Sequence, residues 1–341
     1  MSKEYCYLLP EIIDLLHSGA IAQPYPYAKV QQQATRLAYS AAMLELGESN
    51  PNVVVLDADV SKSIGTDKFA EKFPERSFNF GIAEQNMMAA AAGMATTGLI
   101  PFATTYAVFA SLRALDQIRN TIHYPKLNVK IAASHSGITP GPDGVTHQGQ
   151  EDISLLRAIA NSTVIAPADS PTTKQAVHAA AEWPGPVYLS FTRDPVPFLF
   201  IPDFPFEIGK IVSIRAGRDV SIIAMRDMVA QALVAAARLA LDGIDAQVLY
   251  CHTIKPLDEA AILEAVEQTH AVVTAENNVI FGGLGSAVAE TLVENLPVPM
   301  KRIGVRDQFT ESGPYLDLIR KYGLSYEFIE DAARQVIARK G

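Results

Sequence analysis

The chain has 341 residues, 49% of them apolar and 19% charged, with a formal net charge of −9. That length buries a sizeable core and suits two domains, while an acidic balance without any Lys/Arg-rich run lacks the electrostatic footprint of a nucleic-acid binder. Cys6 and Cys251 are too few for a disulfide framework or a cysteine zinc site, no apolar signal core opens the chain, and no apolar run approaches ~18 residues, so the expectation is a cytoplasmic protein without a membrane span.

Residues 1–30 read as a short extension whose middle, 10–17, has helical apolar spacing suited to an arm that packs on a partner. From residue 31 strands and helices alternate. Helical periodicity over 34–46 precedes a short apolar run at 53–56 of the kind that forms a buried strand. Further strands are expected at 78–80, 100–104, 129–133, 163–165 and 187–191, with helices at 66–73, 85–97, 108–123, 150–160 and 171–182. Such repeats imply a parallel sheet covered on both faces, an α/β domain over 31–194. Residues 195–212 form a linker; its stretch 195–210 carries four prolines among aromatic and aliphatic residues, a composition that packs against a surface. A second, smaller α/β domain spans 213–341, with strands at 220–225, 245–250, 271–275 and 298–303 and helices at 227–242, 258–267, 284–295, 313–321 and 325–339. The fold class is therefore α/β, with two parallel-sheet domains.

Ligands of open parallel sheets bind outside the carboxyl ends of the strands. Several chemically useful residues fall at such ends: Asp59 and Ser63 after 53–57, Glu84 after 78–80, Tyr106 after 100–104, His135 after 129–133 and Arg193 after 187–191. Taken alone, each has an ordinary reading. Glu84 suits the first turn of a helix, where the dipole favours an acid. Tyr106 and Phe109, three apart, fit helical core packing. Arg36 and Arg193 fit a surface, although a guanidinium fork also matches a phosphate. The loop 134–152, SHSGITPGPDGVTHQGQED, holds two histidines, Asp143 and four glycines, and is not core-like. A zinc site of His135, Asp143 and His147 has an unusual spacing; acid–base work or substrate binding suits the cluster better.

The run GIAEQNMMAAAAGMA (81–95) resembles the pyrimidine-binding domain of the transketolases, enzymes that use thiamine diphosphate. The resemblance extends over about residues 31–338 and includes the loop segment H…DG-x-THQ and the segments TIKPLDE and AENNVIFGGLGSAVAETL of the second domain. It implies that Glu84 hydrogen-bonds N1′ of the cofactor's aminopyrimidine, where an acid favours the imino tautomer that the cofactor uses as its own base. The cofactor carries the carbanion chemistry and the protein tunes it. It further implies that Tyr106 and Phe109 stack on that ring, that Asp59 lies near the cofactor, and that His147 lies near its amino group. Asp143 is then expected to contact a substrate hydroxyl, and Arg36, Ser63, His135 and Arg193 to hold a sugar phosphate. Five positions depart from the family pattern: Leu112 stands where a further aromatic is common, Val145 replaces a proline, Gly149-Gln150 follows Gln148, and Asn277 replaces a histidine.

No Gly-Asp-Gly segment with a following Asn is present, the element that holds Mg²⁺ and the diphosphate in complete transketolases. The resemblance therefore implies half an enzyme: a two-carbon ketol transferase in which a separate N-terminal subunit brings Mg²⁺ and diphosphate binding, with the cofactor at the interface of an α2β2 heterotetramer. Two enzyme alternatives share the plan, the β chain of a 2-oxo acid dehydrogenase E1 component and a deoxyxylulose-phosphate synthase-like half. A silent scaffolding partner is the non-enzyme alternative, and retention of Glu84 argues against it.

Overall fold

A computed structural model describes residues 4–340. Fourteen strands run in chain order: β1 (Gln32–Gln33), β2 (Val53–Asp57), β3 (Ser77–Asn79), β4 (Ile100–Tyr106), β5 (Lys130–Ser134), β6 (Thr163–Ile165), β7 (Val187–Ser190), β8 (Val196–Pro197), β9 (Ile211–Arg215), β10 (Val220–Ala224), β11 (Ala246–Cys251), β12 (Thr253–Lys255), β13 (Val272–Val279) and β14 (Met300–Val305). They form a seven-stranded sheet ordered β12-β6-β7-β5-β4-β2-β3, a five-stranded sheet ordered β14-β13-β10-β11-β9, and the small pair β1-β8. All pairings in the two large sheets are parallel except those of the edge strands β12 and β9.

Strand alternation explains the layers. In β2, Val53 and Val55 face one core, with Tyr39, Met43, Val177 and Ala180 of the helices Thr35–Ser49 and Ser170–Glu182. Val54 and Leu56 face a second core, with Met87, Met88 and Ala91 of the helix Glu84–Ala95. That second core continues without a break into Ile223, Met225, Leu249 and Cys251 of the other sheet. A third core lies on the far side of the second sheet, around the helices Met228–Leu241 and Tyr326–Ile337.

The chain also stitches its two sheets together by hydrogen bonding. β12 follows directly on β11 of the second sheet but pairs with β6 of the first, Thr253 against Ile165. The linker is packed as its composition implies: Leu199, Phe200 and Phe204 are buried, and the amides of Leu199 and Phe200 donate to Asp169 Oδ2 at 2.8 and 2.9 Å.

Two expectations need correction. The N-terminal arm packs on its own chain: Tyr5, Leu8, Ile12 and Leu16 join the third core, and Cys6 N donates to Ile214 O at 3.0 Å on the open edge of β9. An apolar face at this spacing needs a groove, and the second domain supplies one. The expected continuous helix 108–123 is instead two π-helical stretches, Phe109–Arg113 and Ile118–His123, around a short α-turn at Leu115–Gln117. Apolar periodicity read at 3.6 residues per turn does not register such widening of the helix. No helix among the described residues is long and apolar enough to cross a membrane.

Candidate active site

The carboxyl edge of the seven-stranded sheet collects most of the expected residues. Chain order along this sheet reverses at β2, where β3 lies on one side and β4 on the other, and such a reversal opens a crevice above the sheet. Glu84 follows β3 as the first residue of the helix Glu84–Ala95 and is 1% exposed. Among the described residues its carboxylate has one hydrogen-bond partner, Arg113, whose Nη1 donates to both oxygens at 2.9 Å. The Arg113 guanidinium lies 4.4 Å from the centre of the Phe109 ring.

An aromatic cluster stands beside this pair. Tyr106, at the end of β4, is stacked with Phe109 at 5.7 Å and with His135 at 3.8 Å between ring centres. His147 meets both Tyr106 and Phe109 edge-on, at 6.0 and 5.7 Å. Its Nδ1 is 3.0 Å from Thr146 Oγ1, a hydrogen bond that orients the ring. Offset and edge-on contacts between rings at these separations are the favourable ones. Leu112, half exposed, sits where a further aromatic was absent from the sequence pattern.

His135 turns the chain with a φ of 65° and is buried. Burial pushes its pKa down to about 2, with Arg36, Arg193 and His147 adding to the shift. It is therefore a neutral ring, and its 3.8 Å approach to Asp143 Oδ2 is not an ion pair. The expected basic group thus reduces to two guanidinium groups and one neutral imidazole. Arg193 lies between two carboxylates, with Nε 3.3 Å from Asp143 Oδ2 and Nη1 2.8 Å from Asp194 Oδ1. Arg36, in the first turn of Thr35–Ser49, donates through Nε to Arg193 O at 3.2 Å. Burial and the nearby Arg193 push the Arg36 pKa down, whereas the Asp194 hydrogen bond raises that of Arg193.

Two expected residues stand apart. Ser63 lies in the single helical turn Ser61–Ile64, and among the described residues its side chain makes no hydrogen bond to the Arg36–Arg193 pair. Asp59, exposed with a φ of 63°, accepts from Asn79 Nδ2 at 3.3 Å. This joins the ends of β2 and β3 without touching the aromatic cluster.

The loop between His135 and Gln150 is held from below. Gly137 has a φ of +60°, and a Cβ there would lie 2.1 Å from Asn277 O, so only glycine fits. Ile138 N donates to Asn277 Oδ1 at 3.0 Å, and Asn277 Nδ2 donates to Asp227 Oδ2 at 2.8 Å. The residue that departs from the family histidine is thus the strut beneath the loop. Gln150 Nε2 donates to Thr310 Oγ1 at 2.7 Å, and Thr310 Oγ1 donates in turn to Gln148. The second domain braces the loop directly. Its glycine-rich turn at 281–285 is not free for an anion, because Glu276 accepts from Leu284 N and Gly285 N at 2.9 and 2.8 Å.

The residues that sequence reasoning passed over are Arg113 and Asp194. Arg113 did carry a signal: no Asp, Glu, Lys or Arg stands between Glu84 and Arg113.

Residues 31–197 match the description "Transketolase, pyrimidine binding domain" and residues 209–329 match "Transketolase, C-terminal domain". The chain is 47% identical over 297 residues to a "Putative transketolase C-terminal section" of Methanocaldococcus jannaschii, covering 86% of this chain and 93% of that one. It is 42% identical to a "6-deoxy-6-sulfo-D-fructose transketolase subunit SqwH" of Clostridium sp., covering 93% of this chain and 98% of that one. Among solved structures it is similar to a "Split gene transketolase, inactive beta4 tetramer" at 49% identity and a TM-score of 0.85, covering 90% of this chain and 99% of that one. With both halves matched and relatives covered almost end to end, the chain belongs to the transketolase family.

Proposed function

We propose that this chain is the pyrimidine-side subunit of a split transketolase, which moves a two-carbon ketol unit from a ketose phosphate to an aldose phosphate. The observation that carries the reading is the pairing of a 1%-exposed carboxylate, Glu84, with a wall of flat rings, Tyr106, Phe109 and His147. A buried hydrogen-bonding acid beside stacked aromatics is the donor set that an aminopyrimidine ring needs.

Thiamine diphosphate, when bound, supplies an acidic ring carbon able to break and re-form bonds next to a carbonyl. Glu84 holds a proton at the pyrimidine N1′. Tyr106 and Phe109 orient the ring and exclude water. His147 assists near the reacting end and Asp143 reads hydroxyl configuration. Arg36 and Arg193 hold the terminal anion of the sugar, with His135 as a neutral hydrogen-bonding partner. Asp59 and Ser63 are assigned to the cofactor and the substrate by the family pattern. Mg²⁺ and the diphosphate are held by a separate N-terminal subunit, in an α2β2 assembly with the cofactor between unlike chains. The split-gene relative and the C-terminal-section relative support this division.

The test is reconstitution. The chain alone is expected to give no measurable ketol transfer. Mixed with a diphosphate-binding partner, Mg²⁺ and thiamine diphosphate, it is expected to turn over. A panel of six-carbon donors ending in phosphate or sulfonate then fixes the anion, since the Clostridium relative carries a sulfonated sugar in its name. Full turnover by the single chain would refute the division of labour.

A further inference from the structure

We propose that Arg113 occupies the place of the cofactor's aminopyrimidine until the cofactor binds and that cofactor binding displaces it. The inference rests on the reading above that Glu84 receives the pyrimidine. A protonated aminopyrimidine would be recognised by two things, a ring to stack on and a carboxylate to donate to. Arg113 already uses both. Its guanidinium is a flat cation 4.4 Å from the Phe109 ring centre, and its Nη1 donates to Glu84 Oε1 and Oε2 at 2.9 Å each. One buried carboxylate and one ring face do not serve two flat cations at once. While Arg113 is engaged, Glu84 has its oxygens filled by a group that donates and never accepts.

The surroundings allow the exchange. The Arg113 side chain is 46% exposed and that of Glu84 only 1%, so the arginine can leave into solvent while the acid stays in place. Opening the pair leaves Glu84 buried without its counter-charge, so the exchange needs the incoming ring nitrogen to take over that hydrogen bond. Arg113 closes the π-helical turn Phe109–Arg113, a widened backbone found where side chains are re-aimed at functional sites. The neighbouring surface is apolar and uncovered: Ile82 is 75% exposed and Leu112 is 52% exposed. Leu112 is the position where an aromatic would otherwise help fill the site. Here its neighbour Arg113 fills it instead.

The experiment is calorimetric titration of thiamine diphosphate, with Mg²⁺ present, into the chain reconstituted with its diphosphate-binding partner. Arg113→Met keeps the length and the apolar stem but removes the stand-in cation. If the arginine-occupied state dominates, freeing the site lowers the apparent Kd by about 5- to 10-fold. Arg113→Lys, which retains charge but cannot lie flat on Phe109, is expected to fall between wild type and Arg113→Met. An unchanged Kd for Arg113→Met would make the arginine a bystander, and a raised Kd would make it a cofactor ligand; either result overturns the proposal. Glu84→Gln in the same assembly separates the two readings. If it leaves the Kd and the proton exchange of the cofactor untouched, the assignment of Glu84 fails as well. If it disturbs them while Arg113→Met changes nothing, only the stand-in role is lost.

Discussion

Arg36 and Arg193 differ in what already holds them. Arg193 is compensated by Asp143 and Asp194, whereas Arg36 has a single backbone partner and no carboxylate within bonding distance among the described residues. Arg36 is therefore the cation with charge to spare for an incoming anion. Removing it with Arg36→Met should cost the substrate one charge-assisted interaction, of about 1.5–3 kcal/mol. In the reconstituted enzyme this corresponds to a rise of about 10- to 100-fold in KM for the anionic sugar, with kcat little changed, because the contact is made equally in ground and transition states. A loss of kcat at constant KM would place Arg36 in the chemistry instead. Asp143 could be read from the sequence as a loop acid, but its pairing with Arg193 could not, because that depends on how β7 and the loop after β5 end side by side.

At the scale of elements, the sequence announces strands better than it announces irregular helices. The runs at 53–56 and 187–191 are short and largely apolar, and they appear as β2 and β7 within a residue or so at their ends. Glu84 was legible because a lone acid opens a run of small residues. The 108–123 segment was legible as helical but not as π-helical, because apolar spacing does not report the widening; both stretches pack on the helix Glu84–Ala95. Phe109 and Arg113 stand four apart and share a side, and the guanidinium lies over Phe109 while donating to Glu84. The loop 135–150 illustrates a further limit. Its glycines marked close approach, but the partner being approached, Asn277, lies far along the chain in the other sheet. A one-chain pattern has no means of naming that contact.

Across the whole molecule, the two sheets share a core and a buried polar junction. Arg226 is fully buried and donates to Ser190 Oγ at 2.7 Å, Asn278 Oδ1 at 2.9 Å and Asp227 Oδ1 at 3.1 Å. Asn278 in turn donates to Asp152 Oδ1 at 2.6 Å. Elements from both sheets supply these groups, so the loop is braced by the packing of the whole chain. Three buried histidines contribute to the chain's response to acid. Burial is the leading cause in each case, holding His135 down to about 2, His252 to about 3 and His123 to about 4. Their folded pKa values lie below the unfolded value, so the neutral forms stabilise the fold above pH ~6.5 and that contribution is lost as the pH falls. Each contributes up to ~1.4 kcal/mol per pH unit in that window. Buried Glu276, pushed up to about 7, acts in the opposite sense: its contribution is present below the ordinary carboxylate range and is lost as pH rises through about 7. It offsets about one histidine of the three. The melting temperature of the chain is therefore expected to be lower at pH 5.5 than at pH 7.5, with His123→Gln showing a shallower fall. A flat or rising profile would contradict this balance.

The most direct test of the account is the rate at which the assembled enzyme exchanges the C2 proton of thiamine diphosphate for deuterium, followed by NMR in the absence of sugar. The wild-type chain with its diphosphate-binding partner should exchange rapidly. Glu84→Gln, in an assembly of unchanged size, should slow exchange by about 10²-fold or more, the scale of a lost acid–base contribution. Equal exchange by the two assemblies would contradict the claim that Glu84 activates the cofactor.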